Sequence, residues 1–171
     1  LRFEAKGKAD FVTEVDLASE RELIFNLQKT YPDHAFLCEE SGRTGPEDAE
    51  YIWIIDPLDG TSNFMRGIPH YCISIACTKA GKVEHAVVLD PVRQEEFTAS
   101  RGRGAQLNGR RLRVSDRVDF KECLIGTGTP FLGHSEDRMA WYLKGLGEIA
   151  GNSMGIRRAG AAALDLAYVA A

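Results

Sequence analysis

The spacing of hydrophobic residues changes from helical to strand-like early in the chain. Between Leu17 and Tyr31 hydrophobic residues recur with a period of about 3.6, and Pro32 ends this pattern. Thr13 and Asp16 precede the segment with the spacing of a capping box in which Asp replaces Glu. The pattern therefore predicts a helix that begins near Thr13 and ends before Pro32.

Runs of hydrophobic and β-branched residues then predict strands. Ala35–Cys38 is a short apolar strand, and Tyr51–Ile55 is apolar at every position, which predicts a buried strand. The polar residues 43–50 between them contain a Gly-Pro turn signal and predict a loop. Further strands are predicted at Tyr71–Lys79, Val83–Leu89, Glu95–Ser100 and Cys123–Gly126, with a hairpin at Gln106–Val114 around Asn108-Gly109.

Two more helices are predicted toward the end of the chain, at Ser135–Ala150 and from Leu164 onward. The order is a helix, mixed strands, an antiparallel run and then helices, which favours an α+β fold in layers over a regular βαβ array. We predict that residues 1–150 form a metal- and phosphate-binding α+β region. Residues 151–171 are predicted to begin a second region that forms the substrate pocket.

Composition and charge exclude several classes of function. The net charge of −4, with 44% hydrophobic and 27% charged residues, is ordinary for a globular protein and disfavours nucleic acid as the main substrate. The basic stretch Arg101–Arg113 is the exception, and a solvated hairpin face is its simpler interpretation. No apolar run approaches the roughly 18 residues of a membrane span, and no signal peptide is visible.

The cysteines and the chain ends add two expectations. Four cysteines occur without a CxxC pair, and three of them lie in apolar runs, which predicts free structural thiols in a reducing cytoplasm. The chain opens at Leu1 without a Met and stops within an apolar helical pattern, so we expect a piece of a longer protein.

Two carboxylates follow the predicted strand Tyr51–Ile55. Asp56 lies where the strand ends, Pro57 favours extended geometry there, and Asp59 follows on the same tight loop. Two carboxylates this close repel each other unless a cation lies between them. The alternative is that this Asp-Pro-x-Asp-Gly segment is an ordinary surface turn.

The residues that follow are suited to binding an anion. Gly60 permits a sharp turn with close approach of a ligand, and Thr61 or Ser62 is a candidate to cap a short helix. The first N–H groups of such a helix would point at a phosphate. Hard oxygen ligands beside a phosphate cradle suit Mg²⁺.

A second acidic group follows the first predicted strand. Glu39 and Glu40 come directly after Ala35–Cys38, although such a pair on its own is more often a solvated loop. Asp16 on its own is more often a first-turn residue that favours the helix dipole. Because adjacent strands of one sheet bring their ends together, we expect the acids after both strands to converge at one sheet edge.

Several segments resemble the inositol monophosphatase family. The stretch Asp56–Phe64 (DPLDGTSNF) is similar to the family signature, Glu39–Ser41 to its acidic pair, and Asp10–Asp16 (DFVTEVD) to its N-terminal motif. The stretches 69–75 and 160–169 also fit, and residues 68–70, 104–109 and 160–169 look closest to the bacterial SuhB-like branch. The resemblance covers nearly the whole chain. It implies a layered α/β sandwich with a mixed, largely antiparallel sheet, as in the inositol monophosphatase / fructose-1,6-bisphosphatase superfamily.

The resemblance implies that water hydrolyses a phosphate monoester with the help of two or three Mg²⁺ ions. Glu39, Asp56 and the Leu58 carbonyl are expected at the first ion, and Asp56 and Asp59 at the second. Asp16 and Thr61 are expected to orient and deprotonate the attacking water, and Glu39 is counted with them as catalytic.

Substrate contacts also follow from the resemblance. The N–H groups of Gly60 and Thr61 are expected to hold the phosphate, with Ser62 beside them. Ala162 aligns with a position that lines the sugar-alcohol pocket. Glu40 is a candidate ligand for water or for a third ion. The implied substrate is inositol 1-phosphate or a similar small sugar-alcohol phosphate, and the implied enzyme is a lithium-sensitive homodimer.

One departure and two alternatives remain open. The family's second signature, which contains Trp-Asp and supplies another metal-ligating Asp, does not occur in residues 1–171, so we expect this piece not to complete the site. Related branches act on 3′-phosphoadenosine phosphate or fructose 1,6-bisphosphate, although the residues Thr61–Phe64 favour the inositol branch. The other alternative is a protein that binds RNA or the transcription machinery, for which Arg101–Arg113 is the sequence feature.

Overall fold

The structure is a computed structural model that describes residues 3–7, 10–129 and 136–171, with side chains described from residue 13 to 129 and from 137 to 171. The side chains of residues 10–12 in the N-terminal motif, and the predicted helix start at Ser135, lie outside these described parts. The elements are β1 (Phe3–Gly7), β2 (Asp10–Thr13), α1 (Glu14–Thr30), β3 (Ala35–Cys38), β4 (Gly42–Thr44), β5 (Tyr51–Asp59), α2 (Thr61–Met65), β6 (Cys72–Lys79), β7 (Lys82–Asp90), β8 (Glu95–Ser100), β9 (Gly104–Leu107), β10 (Arg110–Arg111), β11 (Leu124–Gly126), α3 (Glu136–Asn152), β12 (Gly155–Arg157) and α4 (Ala162–Ala170).

Helix α1 begins at the predicted capping box. The Thr13 hydroxyl accepts hydrogen bonds from the N–H groups of Val15 and Asp16, and the Thr13 N–H donates to Asp16 Oδ2 over 3.0 Å. The helix ends at Thr30, before Pro32, as the pattern predicted. Such a box satisfies N–H groups that have no partner within the helix.

One eight-stranded sheet organises most of the chain, in the order β10-β9-β8-β7-β6-β5-β3-β4. Strands β3 and β5 are parallel, and every other neighbouring pair is antiparallel. This mixed, largely antiparallel sheet with helices packed on it confirms the predicted α+β fold. A separate parallel pair, β11 and β12, is joined through α3.

Different helices cover the two faces of the sheet. On one face α1 packs against a cluster of Phe36, Cys38 and Ile55. On the other face α4 places Leu164 against Cys72 and Phe97.

Three predictions about strands need correction. The Ile54 side chain is 41% exposed because α1 covers only the face that carries Ile55, so the prediction of a fully buried strand was wrong. Arg43 and Thr44, predicted as the start of a loop, belong to the edge strand β4, which pairs with β3. Strand β5 continues past Ile55 to Asp59 instead of ending before Asp56.

Other expectations are confirmed. All four cysteines are free thiols. The hairpin turns at Asn108 and Gly109, whose φ angles of +48° and +75° suit the twist of a two-residue turn. Within the described parts of the chain, no helix has both the length and the hydrophobicity needed to cross a bilayer.

Candidate active site

The parallel pairing of β3 with β5 brings the two acidic groups together. Cys38 lies opposite Ile55, and the Glu39 N–H donates to the Ile55 carbonyl over 3.1 Å. The side chain of Glu39 is then hydrogen-bonded to Asp56. The sheet-edge convergence predicted from the sequence is therefore present for this pair.

A bulge in β5 places Asp59 beside Asp56. Asp56 and Asp59 are three positions apart in the chain, whereas their partners Ser74 and Cys72 on β6 are two positions apart. Pro57 lies within this irregularity, where its missing N–H costs no sheet hydrogen bond. Pro57 is fully buried, so the alternative of an ordinary surface turn is wrong.

The chain leaves the bulge through Gly60, which is the N-cap residue of α2 with φ +97°. A Cβ at this position would lie 3.0 Å from the His70 carbonyl oxygen, so glycine is needed both for its backbone angle and for space. The prediction that Thr61 or Ser62 caps the helix was wrong, because the helix begins at Thr61 and has no side-chain cap.

Thr61 uses its hydroxyl for other contacts. Its Oγ1 lies 3.0 Å from the Leu58 carbonyl oxygen and 3.3 Å from Asp16 Oδ1. A hydroxyl has one hydrogen, so it donates to one of these acceptors at a time. Asp16 is 2% exposed and also accepts from the N–H and the hydroxyl of Thr13. Asp16 is thus a first-turn residue of α1 and a neighbour of Thr61 at once.

Glu20 was not predicted to take part in the site. It is 3% exposed, and its carboxylate accepts from the N–H of Glu40 over 2.9 Å and of Ser41 over 3.0 Å. Glu20 therefore anchors the loop that carries the acidic pair. The signal in the sequence was its position four residues after Asp16, on the same face of the helix.

The predicted residues meet in a cleft of about 330 Å³, which lies in the range of small-ligand sites. Glu39, Asp56, Leu58, Asp59, Gly60, Thr61, Ser62 and Ala162 all line it. Asp16 and Glu40 lie outside its lining, although Asp16 reaches it through Thr61.

The polar residues of the opposite wall of the cleft were not predicted individually as site residues. This wall includes Thr127, Thr129, Arg158 and Asp165, and Arg158 Nη2 donates to Thr129 Oγ1 over 3.2 Å. Arg158 and Asp165 lie in the segment 151–171 that was predicted to begin the substrate pocket, but nothing in the sequence marked these two side chains, or the two threonines, as cleft residues.

Electrostatics within the cleft favour a cation. Burial raises the pKa of Asp56, the charges of Asp59 and Asp16 raise it further, and the hydrogen bond from Glu39 opposes the shift. Burial also raises the pKa of Asp165, against the opposing effects of His70 and Arg158. Four carboxylates and one guanidinium line the cleft, so a bound cation would relieve the excess negative charge.

The carboxylates share the cleft without forming a closed ligand set. Among the described residues, no group of three or more His, Cys, Asp or Glu side chains is placed closely enough to hold a metal ion. Like charges repel, which opposes a closer approach of Glu39, Asp56 and Asp59. Their convergence in a single ligand shell therefore stays a prediction. Their chemistry, carboxylate oxygens beside a main-chain carbonyl, fits Mg²⁺.

Comparisons with known proteins agree with this geometry. The model of the inositol monophosphatase family matches residues 2–171. The chain is 58% identical over 168 residues to the Nus factor SuhB of Pseudomonas aeruginosa, covering 97% of this chain and 62% of that protein. The crystal structure of the extragenic suppressor protein suhB from Bartonella henselae is 44% identical, with a TM-score of 0.95 over 100% of this chain and 66% of that one.

Two further solved structures contain ligands. An IMPase/NADP phosphatase complexed with Mg²⁺ and phosphate matches with a TM-score of 0.81 and 26% identity, over 96% of this chain and 60% of that one. A dual specific IMPase/NADP phosphatase bound with D-inositol-1-phosphate matches with a TM-score of 0.78 and 26% identity, over 96% and 59%. The chain thus spans about three fifths of the length of these proteins.

Proposed function

The chain belongs to the inositol monophosphatase family, in its SuhB-like branch, and from this premise we propose that it forms part of a Mg²⁺-dependent phosphatase. The substrate we propose is inositol 1-phosphate or a similar small sugar-alcohol phosphate. The observation that carries the proposal is the cleft in which two parallel strands deliver Glu39, Asp56 and Asp59 beside Thr61.

Carboxylate and carbonyl oxygens of this cleft would hold the metal. Glu39, Asp56 and the Leu58 carbonyl would bind one ion, and Asp56 and Asp59 a second, with Glu40 as a candidate for a third. When bound, Mg²⁺ neutralises charge on the attacking and leaving oxygens of an in-line displacement. The half-buried position of Asp56 supports this assignment, because a carboxylate that is partly removed from water and has acidic neighbours gains most from a cation.

Asp16 and Thr61 would prepare the attacking water. The Thr61 hydroxyl can accept a proton from water while it donates its own to Asp16 Oδ1, over the 3.3 Å that separates the two oxygens. Asp16 is held for this role by the two contacts from Thr13. Glu39, which follows the neighbouring strand β3, would act with Asp16 and Thr61 on the attacking water.

The rest of the cleft would hold the substrate. The N–H groups of Gly60 and Thr61 would bind the phosphate, with the exposed Ser62 at the rim and Ala162 against the alcohol. We extend the proposal to a cytoplasmic homodimer inhibited by lithium, as the family resemblance implies. The free cysteines support a reducing compartment.

A phosphate-release assay on the full-length protein tests the proposed function. The panel comprises inositol 1-phosphate, 3′-phosphoadenosine 5′-phosphate and fructose 1,6-bisphosphate, each with and without Mg²⁺. We expect the highest kcat/KM for inositol 1-phosphate, and activity only with Mg²⁺. A preference for either of the other two would assign the chain to a different substrate, and metal-independent turnover would contradict the site.

The exposed arginines of the sheet edge favour a second candidate function, in transcription. Arg103, Arg110 and Arg111 are exposed around the edge hairpin, and none of them has an acidic partner within the described residues. Such a basic edge suits a phosphate backbone. The relative from Pseudomonas is named a Nus factor, which also supports a transcription-related role.

A co-purification assay tests this second function. Changing Arg110 and Arg111 to Ala should reduce recovery of RNA or transcription proteins and weaken the salt dependence of RNA binding. Changing the exposed Arg21 and Lys29 of α1 to Ala removes the same charge elsewhere and should have no effect. Equal losses in both variants would show that the hairpin has no specific role.

A further inference from the structure

The side chain of Asn63 joins two segments that flank the cleft. It is 8% exposed, and its amide Nδ2 donates to the His70 carbonyl over 2.7 Å and to the Ala159 carbonyl over 2.9 Å. An amide nitrogen carries two hydrogens, so both donors are used. Asn63 therefore holds together the loop before β6 and the chain that leads into α4.

The chain held by Asn63 continues directly into the first turn of α4. Gly160 follows Ala159 with φ +92°, and a Cβ there would lie 3.1 Å from Asn63 Nδ2. The absence of a side chain lets the amide lie directly against the backbone. The N-cap residue of the helix is Ala161, which makes no side-chain cap hydrogen bond.

Asp59 takes the place of that cap. The Ala163 N–H donates to Asp59 Oδ2 over 2.6 Å, between residues 104 positions apart in the chain. A carboxylate at a helix N-terminus is favoured by unsatisfied N–H groups and by the helix dipole. Cys72 Sγ also contacts Oδ2, at 3.9 Å. Both contacts use Oδ2, which leaves Oδ1 of Asp59 as the oxygen that can bind a ligand in the cleft.

We propose that Asn63 is a positioning residue for the metal site. By fixing the Ala159 carbonyl it sets where α4 begins, and through the Ala163 N–H it sets the orientation of the Asp59 carboxylate. The inference rests on the proposed metal-binding role of Asp59. It adds that this role depends on a residue that touches neither the ion nor the substrate.

Binding of Mn²⁺ to the full-length protein, measured as free ion by electron paramagnetic resonance, tests the inference. Asn63→Asp keeps the shape of the side chain, but it replaces the donor Nδ2 with an oxygen that would repel the carbonyl oxygens of His70 and Ala159. We expect its dissociation constant for Mn²⁺ to rise about 10- to 100-fold, as is typical when a group that orients a ligand is lost.

Asn108→Asp is the matched control. Asn108 also bridges two backbone groups, with Nδ2 donating to the Gln94 carbonyl over 3.1 Å and Oδ1 accepting from the Glu96 N–H over 2.8 Å. The control should lower Tm while leaving Mn²⁺ affinity unchanged. An Asn63→Asp protein that melts normally and binds Mn²⁺ with wild-type affinity would overturn the inference.

A double-mutant cycle covers the case in which Asn63→Asp does not fold. Asn63→Ala truncates the side chain, and Ala163→Pro removes the N–H that Asp59 accepts. If Asn63 acts through that N–H, the double variant binds Mn²⁺ no more weakly than Ala163→Pro alone. Additive losses would overturn the inference. Failure of the wild-type protein to bind Mn²⁺ would instead reject the proposed function, and this inference with it.

Discussion

Asp56 is the carboxylate whose charge matters most within the cleft. Burial and two acidic neighbours raise its pKa, and it is the ligand expected to be shared by both ions. We predict that Asp56→Asn lowers kcat/KM by about 10³-fold or more, because several kcal/mol of charge stabilisation depend on the shared oxygen atoms. Steady-state kinetics at saturating Mg²⁺ provides the measurement.

The fold of the Asp56→Asn variant should remain intact. Asparagine keeps the shape of the side chain and removes a charge that burial disfavours, so Tm without metal should be unchanged or higher. Asp48→Asn, in an exposed loop, controls for loss of a carboxylate alone and should retain full activity. Normal turnover of Asp56→Asn would eliminate the role assigned to Asp56.

At the scale of elements, the junction between β5 and α2 depends on Gly60. Its φ of +97° disfavours any side chain, and a Cβ would also lie 3.0 Å from the His70 carbonyl oxygen. Gly102 has φ +73° but no atom within 4 Å of a Cβ. We predict that Gly102→Ala lowers the free energy of unfolding by about 1–2 kcal/mol because of backbone strain. Gly60→Ala should lower it by about 1–3 kcal/mol more, because the new Cβ is forced against the His70 carbonyl oxygen.

Urea unfolding of both glycine variants measures this difference. The pair separates strain from crowding, because both glycines have a positive φ angle but only Gly60 has atoms close to the position of a Cβ. Equal losses of stability would show that the His70 carbonyl can move away from a Cβ at position 60 without cost.

The turn between β7 and β8 depends on the buried carboxylate of Asp90. Its side chain accepts from the N–H groups of Val92 and Arg93 over 2.8 and 2.9 Å, and from Arg93 Nη1 over 2.7 Å. Burial alone would raise the pKa of Asp90, but these hydrogen bonds outweigh burial and lower it. Because the folded pKa is depressed, the stabilisation is present above the ordinary Asp pKa of about 4 and is lost as pH falls through the folded value.

Asp90→Asn isolates the charge at this turn. Asparagine can keep an oxygen for the backbone N–H groups and loses the ion pair with the partly exposed Arg93. We predict that the substitution lowers the free energy of unfolding by about 1 kcal/mol at pH 7, and that this difference from the wild type shrinks as pH is lowered below about 4. Urea unfolding at a series of pH values measures it. Asp33→Asn, an exposed control, should show no such pH dependence. A pH-independent loss would mean that shape, not charge, stabilises the turn.

The elements that form the acidic side of the cleft could be predicted from sequence because their signals are local. Capping residues, β-branched runs and acids directly after Cys38 and Ile55 sufficed to place Glu39 and Asp56 at one edge. Strand β4 and the bulge in β5 could not be predicted, because each exists only through pairing with a neighbouring strand.

At the scale of the whole molecule, the cleft joins segments that are distant in sequence. Glu39, Asp56 and Asp59 come from the first part of the chain, whereas Thr127, Arg158 and Asp165 come from later segments. The sequence assigned residues 151–171 to the substrate pocket, but no pattern marked Thr127, Arg158 or Asp165 individually, since these residues are separated by irregular chain and by α3. The contact between Asp59 and Ala163 shows why: it joins residues 104 positions apart. Long-range packing of this kind leaves no local signal.

Several hydrophobic side chains of the later helices are exposed. Trp141 on α3 is 79% exposed, and Leu166 and Val169 on α4 are each 73% exposed. Exposed apolar surface of this kind promotes association. We predict that a polypeptide of residues 1–171 alone binds a hydrophobic dye and associates as its concentration rises, which light scattering measures.

The same polypeptide should hydrolyse inositol 1-phosphate at least about 100-fold more slowly than the Pseudomonas relative at full length, because ligands and positioning contacts contribute several kcal/mol each. Mg²⁺ demands near-ideal octahedral coordination, and the Asp of the Trp-Asp signature has no counterpart in these residues. The relative trimmed to the region that matches this chain is the control and should lose activity in parallel. Comparable kcat/KM for the trimmed and full-length relatives would show that residues 1–171 already contain every ligand the reaction needs. Loss of activity with retained Mn²⁺ binding would place the missing contribution in the substrate pocket instead of the second metal site, where the absent Asp is expected.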